Sequence, residues 1–178
     1  MITQNALLLD RMDAAGKLIE SLSRICYAPR LPEPYLVPEG FTADVAKGIY
    51  RRQGDLGNLV QLAEALKCYL VAIGISPVHD QVLQLMPRLP KGWGAAVTEF
   101  PVQNTNATLT FNVGKPKRGR QRIDWSLSSM DGIKRVDVRF GPFEAGRTKA
   151  KVKLNGKKYT IPLKDSGDSS WGWIRGSE

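Results

Sequence analysis

Lys149, Lys151 and Lys153 alternate with Ala150, Val152 and Leu154. Successive side chains of an extended strand point to opposite faces, so the three ammonium groups stand about 7 Å apart on one side and the apolar set lies on the other. That interval is close to the spacing of successive phosphates along a nucleic-acid strand, and a polyanion lying on such a row relieves the repulsion between its like charges. A second concentration lies upstream, where Lys115-Pro116-Lys117-Arg118-Gly119-Arg120 places four cations in six residues without an acid. Its Pro and Gly predict a loop, long and flexible enough to reach into a groove or along a backbone. The same alternation sets Arg122, Arg135, Arg139 and Lys158 on the solvent sides of neighbouring strands. A lysine-studded edge strand also resists sheet-to-sheet aggregation, which is the competing explanation for Lys149 to Lys153. The agreement of loop and sheet face favours contact with an anion.

Proteins that bind single strands through a sheet place aromatic rings on its exposed face, where bases stack. Here Trp125, Phe140 and Tyr159 fall among the apolar positions instead. The expected contact is therefore with phosphates, weakly sequence-specific, on DNA or RNA. Trp171 and Trp173 stand apart in the polar run Ser169-Ser170-Trp171-Gly172-Trp173, which has no periodicity that assigns them to a core. They are read as rings for base stacking or for anchoring a partner protein, or else as a tail folded back over the apolar side of the sheet.

Catalytic chemistry is less well supplied. Nucleophilic catalysis needs a base beside the nucleophile, and the only histidine is His79, followed by Asp80. Cys26 and Cys68 lie on apolar helical stripes and read as buried thiols in a reducing compartment. Two distant cysteines and one histidine do not make a zinc site. Asp124, Asp131, Asp137 and Glu144 are scattered singly among cations, so no carboxylate cluster for a metal-dependent nuclease is expected. Asp124 and Asp137 are expected to pair with Arg122, Arg135 or Arg139 across the sheet. Gly114-Lys115-Pro116 and Gly141-Pro142 lack the pattern of a phosphate-binding loop. The reading is a protein that is not an enzyme, with no cofactor and no metal; a metal-free nuclease with His79 as its base is the minor alternative.

The elements that position these residues differ between the two halves. Of 26 Lys+Arg and 17 Asp+Glu, residues 1–89 hold 9 and 9, leaving 17 and 8 for residues 90–178, so the whole excess of charge is C-terminal. The first half has helical periodicity. Leu8, Met12, Ala15, Ile19, Leu22 and Cys26 mark one stripe of a helix from about Gln4 to Cys26. A proline-rich arm follows over residues 28–38. Thr42 is expected to cap a short helix from Ala43 to Arg52, and Asp55 to begin a longer one to about Ile73 with Leu59, Ala63, Leu66 and Leu70 along its face. A last short helix runs from about Val78 to Met86. Gln61 to Leu66 followed by Gly74-Ile75-Ser76 faintly resembles a helix-turn-helix signature, but Lys67 to Ile73 continues the helix where the turn belongs, so an ordinary helical core is expected.

The second half switches to period two. Strands are expected around Ala95 to Phe100, Ala107 to Val113, Ile123 to Leu127, Val136 to Phe140, Ala150 to Leu154 and Tyr159 to Leu163. Asn155-Gly156 between the last two predicts a hairpin with a type I′ turn. The expected fold is α+β: a helical region over 1–90 and a basic antiparallel sheet of five or six strands over 91–178, curled into a barrel or roll. Leu7-Leu8-Leu9 is too short for a signal sequence, and the apolar run from Cys68 to Ile75 is about half a membrane span, so no membrane contact and a cytoplasmic location are expected. These readings combine into a nucleic-acid-binding subunit of a nucleoprotein assembly whose N-terminal helices meet a protein partner. The alternative is a structural or adaptor protein, such as a component of a viral particle, whose basic face meets an acidic protein.

Overall fold

The computed structural model describes residues 2–27, 38–47, 49–56, 59–118 and 120–176. Most of the proline-rich arm, at 28–37, lies outside them, as do the side chains of Leu22, Cys26 and Leu59. The chain is α+β with mixed sheets. No described helix is long and apolar enough to cross a membrane.

The single N-terminal helix expected from periodicity is two, α1 (Ile2–Leu8) and α2 (Met12–Tyr27). Asp10 breaks the helix by adopting a φ of 55°. Met12, Ala15 and Ile19 from the expected stripe are nonetheless buried, whereas Leu8 is about half exposed and Leu7, outside that stripe, is buried instead. The segment expected as a helix over Ala43 to Arg52 is an antiparallel hairpin, β1 (Pro38–Asp44) and β2 (Ile49–Leu56), joined by a 3₁₀ turn over Val45–Lys47. Helix α3 (Leu59–Ile73) follows. Among its described side chains Cys68 and Ala72 are buried, while Leu66 and Leu70, expected to face the core, are about half exposed. This helix is apolar nearly all round, and periodicity then has no contrast from which to choose a face. The helix expected over Val78 to Met86 is instead β3 (Val82–Leu85), whose Leu83 and Leu85 are fully buried.

The remaining strands are β4 (Ala95–Pro101), β5 (Thr108–Val113), β6 (Arg120–Leu127), β7 (Arg135–Glu144), β8 (Lys149–Leu154), β9 (Lys157–Pro162), β10 (Lys164–Ser166) and β11 (Ser169–Arg175). They form two sheets where one antiparallel sheet was expected. One has the order β10-β11-β7-β3 and the other β4-β5-β6-β8-β9, and β3–β7 and β6–β8 run parallel. Alternation in sequence identifies strands but is silent on which strand pairs with which, so the transfer of β7 to a separate sheet left no local trace. The Asn155-Gly156 hairpin is present: Leu154 pairs with Lys157, and both turn residues have positive φ, 44° and 87°.

One hydrophobic cluster joins Leu7, Met12 and Ile19 of the helices to Leu85, Val138 and Phe140 of the first sheet and Phe111, Ile123 and Val152 of the second. Three polar devices tie the pieces. Gln121 on the inward side of β6 accepts a bond from the Gly141 amide at 2.8 Å and donates to the Gly141 carbonyl at 3.0 Å, linking the sheets. Asp10 binds Arg139 through both terminal nitrogens, at 2.8 and 2.6 Å, and accepts from the Ser166 hydroxyl. A side chain 155 residues away caps α2: the Asp168 carboxylate accepts from the amides of Met12 and Asp13, both at 3.0 Å. Gly167 makes that approach possible, since a Cβ there would lie 2.1 Å from the Asp10 carbonyl oxygen.

Candidate anion-binding groove

Strand register assembles the basic residues. In the parallel pair β6–β8, Arg120 lies opposite Lys151 and Arg122 opposite Lys153, while in the hairpin β8–β9 Lys151 lies opposite Thr160 and Lys153 opposite Lys158. Residues directly opposite one another share a face. Two rows therefore cross the three strands, Arg120–Lys151–Thr160 and Arg122–Lys153–Lys158. Adjacent strands stand about 4.8 Å apart and alternate residues about 7 Å apart, so the five cations occupy a patch roughly 7 by 10 Å. Lys115 closes one side of a groove of about 630 Å³ lined by all six cations. The opposite face of the same strands carries Ala150, Val152 and Ile123, all buried, which fixes the cations outward.

Asp124 is the acid beside this row on β6. Its hydrogen bond to Arg122 raises the guanidinium above its ordinary value and leaves Arg122 mostly exposed. The expected carboxylate pairings thus occur along strands rather than across them: Arg122 with Asp124, and Arg135 with Asp137 at 3.1 Å. Towards β5 the same face becomes neutral, with Thr110, Asn112 and Ser126 outward.

The other expected contacts separate. Lys149 is exposed on the same face of β8, one step beyond the groove. Lys117 and Arg120 exchange both backbone hydrogen bonds, at 2.8 and 2.9 Å, so the segment expected to be a long flexible loop is closed by a tight turn with Arg118 at its tip, φ 49°. Arg118 is exposed and lines a different pocket from Lys115 and Arg120. Arg135 lies in the other sheet, in a pocket with His79 and Asn104.

Arg139 and Trp171 are corrections. Arg139 is buried, held by Asp10 on one side and by the Trp171 ring on the other, with its guanidinium carbon 3.8 Å from the ring centroid. Strand β7 is covered on both faces, so alternation along it does not separate core from solvent as it does along β8. Trp171 is likewise buried, in a strand that pairs with β7, and has no surface for a base; Trp173 is 38% exposed. Arg88 stands beside this pair, its Nε 3.9 Å from Asp10, and burial together with the nearby Arg139 lowers its pKa against the opposing pull of Asp10.

Cationic residues missed from the sequence are Lys91 and Arg147, which line the pocket of Arg118. They stand in connections rather than strands, where no periodicity marks them. The exposed His79 sits 3.5 Å from Asp80. Among the described residues, no three of His, Cys, Asp and Glu come together as a metal site. Comparison with protein-family models, curated proteins and solved structures finds no match.

Proposed function

We propose that the chain is a non-enzymatic nucleic-acid-binding protein that holds the phosphate backbone in the groove of β6, β8 and β9, as a cytoplasmic subunit of a larger nucleoprotein assembly. The observation that carries the reading is six cations converging on one concave surface with Asp124 as the acid beside them. Lysine and arginine donors so placed replace condensed counterions around phosphates, and the release of those ions drives association. Contact chiefly with the backbone is supported by the outward positions of the three strands, which carry cations and no ring; Tyr159, expected on the apolar face, pairs with Val152 but is exposed and lines the groove, the one ring there on which a base could stack. The assembly part is supported by half-exposed Leu8, Leu66 and Leu70 and by Leu9, two-thirds exposed, on and beside α1 and α3.

Fluorescence anisotropy with labelled DNA and RNA over a salt series tests the reading. Affinity is expected to fall linearly in log–log form with salt and to vary little with sequence. The triple variant K149E/K151E/K153E is expected to weaken binding to every sequence and to flatten the salt slope by about 0.9 for each phosphate it no longer neutralises. No retention of either nucleic acid at low salt sinks the proposal and favours an acidic protein as the partner.

A further inference from the structure

The turn at Lys117–Arg120 has a cationic pocket on each side. Lys115 and Arg120 line the groove, whereas Pro116 and Arg118 line a second pocket of about 400 Å³ together with Lys91 and Arg147. Glu144 is the acid of that second pocket, against three cations. Lys115 and Arg118 are three residues apart, so at most roughly 10 Å of backbone separates the pockets. That distance is within the reach of one or two nucleotides. The two pockets draw on different parts of the fold, the second from the connection before β4 and from the end of β7 with the turn after it. A ligand touching both would follow the segment from Lys115 to Arg120, which contributes residues to each.

We propose that the second pocket continues the groove, and that one single-stranded nucleic acid occupies both, wrapped round the Lys117–Arg120 turn with its phosphates on Lys91, Arg118 and Arg147 after leaving the β6–β8–β9 face. This rests on the phosphate-binding reading above and adds the strandedness and length of the ligand. A duplex is stiff over about 150 base pairs and does not bend round a six-residue segment, whereas a single strand does. Small concave sites with basic walls suit a single backbone tracked along its length.

The test uses the full chain and labelled single strands of about 4 and about 20 nucleotides, which bracket common site sizes for single-strand binders. Lys91→Glu with Arg147→Glu is expected to weaken the long strand about tenfold and lower its salt slope by about 1.4, at about 0.7 for each of two lost phosphate contacts on a single strand, while the short strand changes less than about twofold. K151E/K153E is expected to weaken both lengths. Lys91→Ala with Arg147→Ala gives the same ranking with a smaller effect, and unchanged circular dichroism melting separates weakened binding from unfolding. Equal binding of the long strand before and after the Lys91 and Arg147 changes overturns the continuation and leaves the groove itself standing. Duplex binding as tight as that of the matched single strand overturns the wrapped geometry. If K151E/K153E alters nothing, the groove reading and this one fall together.

Discussion

Asp10 sits at the break between two helices and neutralises a buried guanidinium far along the chain. Removing one partner of a buried, hydrogen-bonded ion pair strands the other charge, so Asp10→Ala is expected to cost about 3–5 kcal/mol in urea denaturation. Asp168 gives a pH-dependent counterpart. Burial pushes its carboxyl up, but bonds from the Asp13 amide, the Ser169 hydroxyl and the Met12 amide outweigh this and hold it below 3.8, the ordinary value. A carboxylate depressed in the folded state stabilises at pH above its unfolded value, and that contribution disappears as pH falls through the folded one. Asp168→Asn is therefore expected to be less stable than the parent at neutral pH and to show a smaller loss below about pH 4, read from melting temperature across an acid series. Neither role was legible in the sequence. Asp10 interrupts a helical stripe, and nothing local indicates that its partners lie at positions 139, 166 and 168.

The β8–β9 hairpin shows what local sequence does encode. Asn155-Gly156 specifies positive φ at two consecutive residues, which few other dipeptides accept. The side chain of Asn155 also clasps the neighbouring strand. Its oxygen accepts from the Trp125 amide at 2.9 Å and its amide donates to the Trp125 carbonyl at 3.0 Å, extending the parallel pairing with β6 by one step. Gly156→Ala is expected to cost about 1–2 kcal/mol through the backbone alone. Asn155→Gly keeps the turn and removes the two bonds, at about 1 kcal/mol. Chemical denaturation of the two variants separates turn from clasp; unchanged groove affinity in Asn155→Gly would show that the clasp contributes nothing to the placement of Arg122 beside Lys153. Period-two patterning located β4, β5, β6, β8 and β9 and the outward cations of β6, β8 and β9. It located β7 as well but misassigned its solvent face, because both faces are covered, and it failed at Val82–Leu85, where four residues are too few to show alternation.

At the scale of the molecule, helices from the first half and both sheets share one hydrophobic cluster. Tryptophan fluorescence and far-ultraviolet circular dichroism are expected to report coincident unfolding transitions; separated midpoints would show that the helices detach first. The charge asymmetry between halves was plain in the sequence, as was the α+β class. The division of strands into two sheets was not, because it depends on contacts between distant segments.

The bond from Asp10 to Arg139 spans 129 positions, and the Asp168 cap on α2 spans 156 to Met12. Chains are made from the N-terminus at roughly 5–20 residues per second, so Asp10 waits between about 6 and 26 s for the guanidinium that neutralises it. Throughout that interval α1 and α2 have neither their cap nor their ionic anchor, and their apolar stripe has no sheet to cover it. The two helices are thus synthesised before any of the groups that lock them.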